Sequence, residues 1–175
     1  MQEAKDSLVR YNYLAVASKT CLMSSDIDSA RLLTRQIEDF TMKQPFSAQL
    51  ADLKSECYNM KGNVYARTGY MDSAEVYFRK AYEQRMQGTK IEVVPDILMN
   101  LADASNRLGK LDVGAAWYRR ALILCDSLDI VSTKKPPIYY GLAQIYVALR
   151  DFDQCDYYYN LAAGSYESML PFEKH

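Results

Sequence analysis

Histidine and closely spaced cysteine pairs are almost absent from this sequence. The only histidine is His175, the last residue, where it cannot anchor a catalytic triad or a set of metal ligands. The four cysteines, Cys21, Cys57, Cys125 and Cys155, form no C-x-x-C pair and are expected to be small buried residues with free thiols. A glycine-rich loop that could hold phosphates is also missing. The sequence therefore predicts no enzyme activity, no catalytic residue, no metal site and no cofactor.

An excess of charge of one sign and long apolar runs are missing too. Lys and Arg number 21 against 22 Asp and Glu, a net charge of −1 without a basic block, which argues against nucleic acid or an anionic membrane surface as a partner. No apolar run is long enough to cross a bilayer, and the polar start has no signal-peptide core. We therefore expect a soluble chain without direct membrane contact, cytoplasmic or periplasmic, and equally compatible with a piece of a longer protein.

A short skeleton occurs four times: a small or polar turn residue, any residue, a large apolar residue, Asp, any residue and a small residue. The copies are residues 25–30, 69–74, 109–114 and 150–155, and their Asp residues are 44, 40 and 41 residues apart. Each copy lies between two apolar runs of helical period, which predicts the tight turn of a helix-turn-helix unit. Glycine in the turn would cap the incoming helix, and Asp would lie in the first turn of the outgoing one. Such an internal repeat is typical of a helical solenoid.

Apolar residues recur at intervals of three and four over most of the chain, without β alternation, which predicts an all-α fold. The helices of the first two units are predicted at about residues 3–24, 27–42, 46–68 and 72–86. Pro95 is expected to open the third unit, because a proline at the start of a helix loses no hydrogen bond. The polar segment 132–137, with two prolines, is predicted to be a linker before the fourth unit.

Aligned on the shared turns, the units resemble tetratricopeptide repeats. The second unit matches the family pattern most closely, with aromatic and small residues at the expected places: Tyr58, Gly62, Tyr65, Gly69, Ala74, Phe78 and Ala81. The resemblance implies one right-handed α-solenoid domain over residues 1–175, built of four repeats at about 11–54, 55–94, 95–135 and 136–175. The units are longer than the family's usual repeat of about 34 residues, so longer helices or connectors are expected.

The family pattern also carries a packing prediction. Gly62 is expected to face alanines of the next helix, Ala74 among them, while Tyr65 and Phe78 fill the neighbouring gap. Overfilling such a close helix crossing costs about 1–3 kcal/mol. Ala74→Leu is therefore predicted to destabilise the fold far more than a change at Glu75, which is expected to be exposed.

In this family the first helix of each unit builds the concave face, and function is expected there. Carrying over the positions that face this groove gives ten candidate partner-binding residues: Lys19, Met23, Asn59, Asn63, Arg67, Met99, Asp103, Arg107, Tyr140 and Gln144. They would form a polar strip of mixed charge, suited to hydrogen-bonding an extended peptide backbone and one or two carboxylates. The alternative, that these side chains are only a solvated face, stays open.

One subclass of the family can be argued against. Repeat domains that grip the acidic carboxy-terminal tails of chaperones use lysines and asparagines at set groove positions. Asn59 and Asn63 match part of that set, but Met60, Asp96 and Asn100 stand near the places where lysines are required. The chain is therefore not expected to be a chaperone-tail adaptor.

Extended repeats of this kind resemble those of bacterial signalling proteins and of cargo or scaffold adaptors. The resemblance implies a non-enzymatic interaction module that binds a protein or peptide, as the regulatory repeat region of a larger signalling protein. Two alternatives remain: a sensory module for a small ligand, and a spacer that forms homodimers through the C-terminal repeat. The dimer alternative depends on Tyr166, Met169 and Leu170, apolar residues that no polar capping helix follows.

Overall fold

The computed structural model describes residues 2–128 and 134–169, and every regular element in those ranges is a helix. The all-α prediction is therefore confirmed, and no strand occurs in the described chain. The α-helices are α1 (Gln2–Met23), α2 (Ile27–Thr41), α3 (Ala48–Arg67), α4 (Met71–Arg85), α5 (Val94–Arg107), α6 (Leu111–Ser127), α7 (Lys135–Ala148) and α8 (Phe152–Met169). A short 3-10 turn at Ile91–Val93 precedes α5.

The chain divides into two compact units, Met1–Val93 and Val94–His175, each made of two helical hairpins. In the first unit, α1 pairs with α2 and α3 with α4, and α3 also packs against both helices of the first hairpin. In the second unit α7 packs in the same way against α5 and α6 while pairing with α8. Each unit therefore stacks one hairpin on another, with the first helices of the two hairpins in contact.

Each hairpin turn contains one residue with a positive φ: Ser25 at 65°, Gly69 at 88°, Gly109 at 74° and Arg150 at 59°. The sequence predicted this conformation for the two glycines. Two backbone hydrogen bonds close each turn; in the second hairpin the Tyr70 N–H donates to the Tyr65 carbonyl at 2.9 Å and the Gly69 N–H to the Ala66 carbonyl at 3.4 Å. This is the Schellman arrangement that ends a helix. Glycine adopts it without cost, whereas Ser25 and Arg150 adopt it against the preference of residues with a Cβ.

The acidic residue of each skeleton lies in the first turn of the outgoing helix, as predicted: Asp28, Asp72, Asp112 and Asp153. A carboxylate there is favoured by the helix dipole. Two turns add a side-chain cap: Asp26 accepts a hydrogen bond from the Ser29 N–H at 3.1 Å, and Asp151 accepts one from the Gln154 N–H at 3.1 Å.

The hairpin of α3 and α4 is held by close packing of aromatic on small side chains. A Cβ placed on Gly62 would lie 2.5 Å from two ring carbons of buried Phe78, so only glycine leaves room for this ring. Tyr65 instead stacks on Tyr77, with ring centroids 5.3 Å apart. Glu75 is 8% exposed and forms an ion pair with Arg79, so the prediction that it is exposed was wrong. Successive helix positions are only about 100° apart, which places Glu75 at the edge of the face that Ala74 buries.

The second unit is built around aliphatic side chains of α5 and α7, such as Leu98, Leu101 and Leu142, which are fully buried. α7 begins at Lys135, and its first turn contains the two prolines of the predicted linker. The assignment of those prolines to a linker was therefore wrong: the first turn of a helix tolerates proline, because its N–H groups have no partner within the helix. Residues 132 and 133 of the same segment lie outside the described chain.

Candidate partner-binding site

The ten predicted groove residues fall equally in the two units. In the first unit, Lys19 and Met23 are exposed on α1, Asn59 and Asn63 are half-buried on α3, and Arg67 is exposed at the end of α3. In the second unit, α5 and α7 carry the remaining five, which are exposed except for half-buried Met99: Met99, Asp103, Arg107, Tyr140 and Gln144.

Two of these predicted residues make contacts that hold the fold. The Arg67 guanidinium donates to the carbonyl of Leu22 and, at 2.8 Å, to the hydroxyl of Ser25, so it ties the end of α3 to the turn between α1 and α2. Asp103 on α5 accepts a hydrogen bond from the hydroxyl of Tyr118 on α6. Burial and then the neighbouring carboxylate raise the pKa of Tyr118, which keeps this hydroxyl protonated as a donor.

A polar cavity of about 340 Å³ lies in the first unit, between α1, α3, the end of α4 and the segment that follows it. We call it the α1–α3 cavity. Its lining combines charged side chains with a few apolar ones: Asn12, Ala15, Val16, Lys19, Asp52, Glu56, Arg85, Lys90 and Val93. Of the residues predicted from the sequence, it contains Lys19.

Arg85, the last residue of α4, lines the α1–α3 cavity and is only 2% exposed. Its guanidinium donates from Nη1 to Asp52 Oδ1 at 2.9 Å, from Nε to the Ser55 hydroxyl at 3.1 Å, and from Nη2 to Glu56 Oε2 at 3.3 Å. The Ser55 hydroxyl in turn donates to the Ala81 carbonyl at 2.8 Å. Breaking a buried ion pair of this kind costs about 3–5 kcal/mol, because the remaining charge stays buried without compensation.

Asp52 holds the segment that follows α4. Its Oδ2 accepts from the Thr89 hydroxyl at 2.6 Å and from the Thr89 N–H at 3.1 Å, and its Oδ1 accepts from the Lys90 N–H at 3.3 Å as well as from Arg85. Burial alone would raise the pKa of Asp52, but these hydrogen bonds and the Arg85 charge together lower it below its usual value. Asp52 is therefore an ionised anchor of the connecting segment.

Gly88 makes this anchoring possible. A Cβ at this position would stand 2.0 Å from Oδ1 and 2.7 Å from Cγ of Asp52. Only a residue without a side chain lets the backbone after α4 approach the carboxylate this closely. The position of Lys90 beside the cavity thus depends on Gly88 and Asp52 together.

The sequence reading missed Asp52, Arg85 and Lys90, although one signal was available. Arg85 follows the buried positions Phe78 and Ala81 at intervals of three and four, so it continues the apolar stripe of α4. A charged residue on a buried stripe requires a partner of opposite charge. That partner could not be identified from the sequence, because Asp52 is 33 residues away along the chain.

Tyrosines form a second recurrent feature, with the same spacing in both units. In the first unit Tyr77 stacks on Tyr65 and lies 6.1 Å from Tyr58, and in the second Tyr158 stacks on Tyr146, centroids 5.5 Å apart, and lies 6.4 Å from Tyr139. A cation of the protein covers each cluster: Lys61 Nζ lies 4.7 Å from the Tyr77 ring centroid, and Arg119 Cζ lies 6.0 Å from that of Tyr146. Since their faces are already covered, these rings stabilise helix packing rather than offer a binding surface.

Metal ligands, membrane spans and thiols also bear on the chemistry of the site. Among the described residues, no group of three or more His, Cys, Asp or Glu side chains could hold a metal ion. No helix in residues 2–128 and 134–169 is long and apolar enough to cross a membrane. All four cysteines are free thiols; Cys57 and Cys125 are buried, and Cys21 and Cys155 are partly exposed.

Comparison with known proteins places these observations in a family context. The model of the tetratricopeptide repeat matches residues 55–85 and 136–168, which fall in the second and fourth hairpins. Among solved structures, the crystal structure of BtubC (BKLC) from P. vanneervenii is similar, with a TM-score of 0.81 and 20% sequence identity. The similarity covers 99% of this chain and 70% of that one, and at this identity it shows the fold alone. The search of the curated proteins found no match.

Proposed function

Because this chain is a repeat protein of the tetratricopeptide type, we propose that it binds a segment of a partner protein on the face of α1 and α3. Repeats of this type generally mediate protein–protein interaction or scaffolding. In this proposal α1 and α3, the first helices of their hairpins, carry the binding face, and the activity is recognition without catalysis. The proposal includes a regulatory role in a larger bacterial signalling protein, which the sequence resemblance suggests.

The α1–α3 cavity is the observation that carries this proposal. Its volume of about 340 Å³ lies within the range of pockets that accept side chains and small ligands. Its lining combines polar groups with the apolar side chains of Ala15 and Val16. Binding pockets commonly have this composition, because a few polar groups fix the orientation of the ligand. Lys19, predicted as a groove residue, is exposed and belongs to this lining.

A display selection tests the proposal. Peptides selected against the whole chain would be titrated into the protein and into the variants Lys19→Ala and Lys43→Ala. Lys43 is an exposed lysine between α2 and α3 that is not part of the cavity lining. We expect Lys19→Ala to weaken the selected peptides and Lys43→Ala to leave them unchanged. Peptides that bind both variants as tightly as the unmodified protein would contradict the proposal.

Self-association through the C-terminal hairpin is a second candidate function. Large apolar and aromatic side chains are exposed on α7 and α8, among them Tyr140, Val147, Phe152 and Tyr159. Aromatic residues in such numbers are typical of interfaces. The side chains of Tyr166, Met169 and Leu170, on which the sequence prediction relied, lie outside the described part of the chain. Light scattering separates partner binding from self-association. A dimer that Tyr159→Glu converts to a monomer would support self-association. A protein that stays monomeric at high concentration would rule self-association out.

A further inference from the structure

The charges that line the α1–α3 cavity are not balanced. Asp52 accepts four hydrogen bonds, and its charge is compensated by Arg85. A carboxylate with four donors has no lone pair left for a ligand. Arg85 is itself buried, so the charged groups that remain for an incoming molecule are Lys19, Lys90 and Glu56, beside the amide of Asn12.

These three groups leave one positive charge in excess. Neither Lys19 nor Lys90 forms an ion pair with any carboxylate of the described residues. Glu56 has a side chain that is 31% exposed, and it shares the buried Arg85 through one long contact of 3.3 Å. Two lysines thus line the same cavity as one partly engaged carboxylate, a combination of charges suited to one additional anion.

The walls of the cavity restrict the kind of anion. Ala15, Val16 and Val93 line it with aliphatic carbon, while the lysines extend their ammonium groups from α1 and from the segment after α4. An anion carried on a short aliphatic stem would place its methylenes on these side chains and its charge between the lysines. A doubly charged phosphate would bring a second negative charge next to Glu56, which is unfavourable.

We infer that the α1–α3 cavity receives the carboxylate of an acidic side chain from the partner segment, bound between Lys19 and Lys90. The inference rests on the proposed function, for which it specifies the partner chemistry. Glu56 acts as a filter, since it disfavours any ligand with more than one negative charge. Asp52 and Arg85 do not touch the ligand; they position Lys90 by fixing the connecting segment.

Three short peptides test the inference with the whole chain. The first is acetylated and amidated and has a glutamate between two leucines; the second has glutamine instead of glutamate. The third is the glutamine peptide with a free terminal carboxylate, so that it distinguishes a side-chain source of the anion from a chain-end source. Binding would be followed by the amide chemical shifts of α1, α3 and residues 88–93 during titration.

We expect the glutamate peptide to bind about tenfold more tightly than the glutamine peptide, as the loss of one charge-assisted hydrogen bond predicts. Lys90→Met should remove this preference, Lys43→Met should preserve it, and Glu56→Gln should strengthen binding severalfold. A gain of affinity in Glu56→Gln cannot arise from a damaged fold, so it keeps the test valid if Lys90→Met perturbs the connecting segment.

The failures of the two proposals are distinguishable. Equal affinities for the glutamate and glutamine peptides, with shifts still centred on α1 and α3, would overturn the carboxylate inference and leave partner binding intact. Preference for the third peptide would overturn the assignment to a side chain. Display-selected peptides that cause no shifts in α1 or α3 would overturn the proposed function and the inference with it.

Discussion

Replacing Gly88 by alanine tests whether Asp52 anchors the segment after α4. The new Cβ would stand 2.0 Å from Oδ1 of Asp52, so either the backbone or the carboxylate has to move. The carboxylate cannot move freely, because Arg85, Thr89 and Lys90 donate four hydrogen bonds to it. Relief of the clash therefore breaks part of this network.

The expected cost follows from two limits. Overpacking in a well-packed site costs about 1–3 kcal/mol, and complete loss of the buried ion pair would cost about 3–5 kcal/mol. Alanine also recovers about 0.4–1 kcal/mol by restricting the unfolded chain. We therefore expect Gly88→Ala to lower the free energy of unfolding by about 2 kcal/mol.

Urea unfolding followed by circular dichroism measures this loss, and Gly164→Ala on α8 is the matched control. Apart from the local backbone of α8, no described atom lies within 4 Å of a Cβ at Gly164, so alanine there should stabilise the helix by up to about 1 kcal/mol. Hydrogen exchange at the Thr89 and Lys90 amides should accelerate in Gly88→Ala alone. Equal stability of the two variants, with both amides still protected, would refute the anchoring role of Asp52.

Three other predictions concern single positions. Arg150→Gly should raise the free energy of unfolding by about 1 kcal/mol in urea titrations, because φ is 59° there, and Arg150→Ala should give no such gain. The pKa of Asp52 is lowered in the folded state. Its contribution to the free energy of unfolding should therefore be fully present above its unfolded pKa of about 3.9 and be lost as the pH falls through the folded pKa. In Asp52→Asn, the loss of stability in acid should lack the contribution of this carboxylate. Burial and then the Glu38 carboxylate raise the pKa of Cys57 to about 12, so in the folded protein a disulfide reagent at neutral pH should label Cys155 and leave Cys57 unmodified.

The turns could be predicted from the sequence because they are local. Gly69 adopts the positive φ that the skeleton implies, and Asp72 lies in the first turn of the next helix. Both features depend on a few consecutive residues and on the hydrogen-bonding needs of helix ends. Glu75 was misplaced, because its burial depends on which face of α4 the neighbouring helices cover. The prolines before Ile138 were misplaced for another reason: proline ends one helix but is equally tolerated in the first turn of the next.

The polar network of the candidate site could not be predicted, because it joins residues far apart in the chain. Arg85 meets Asp52 only after α3 and α4 have paired, and Lys90 reaches the cavity only because Asp52 holds its N–H group. Lys19, which was predicted from the family resemblance alone, is the one predicted residue among those lining the α1–α3 cavity; whether it binds a partner is untested. Whether all ten predicted residues contact a partner stays a prediction.

The distribution of aromatic residues also makes the two units optically distinct. Trp117 on α6 is the only tryptophan of the chain, so indole emission originates entirely from the second unit. The first unit contains tyrosines, among them the stacked rings of Tyr65 and Tyr77, but no tryptophan. A denaturation experiment that records indole emission and far-ultraviolet ellipticity together will therefore reveal, from a lag between the two curves, whether the halves melt one after the other.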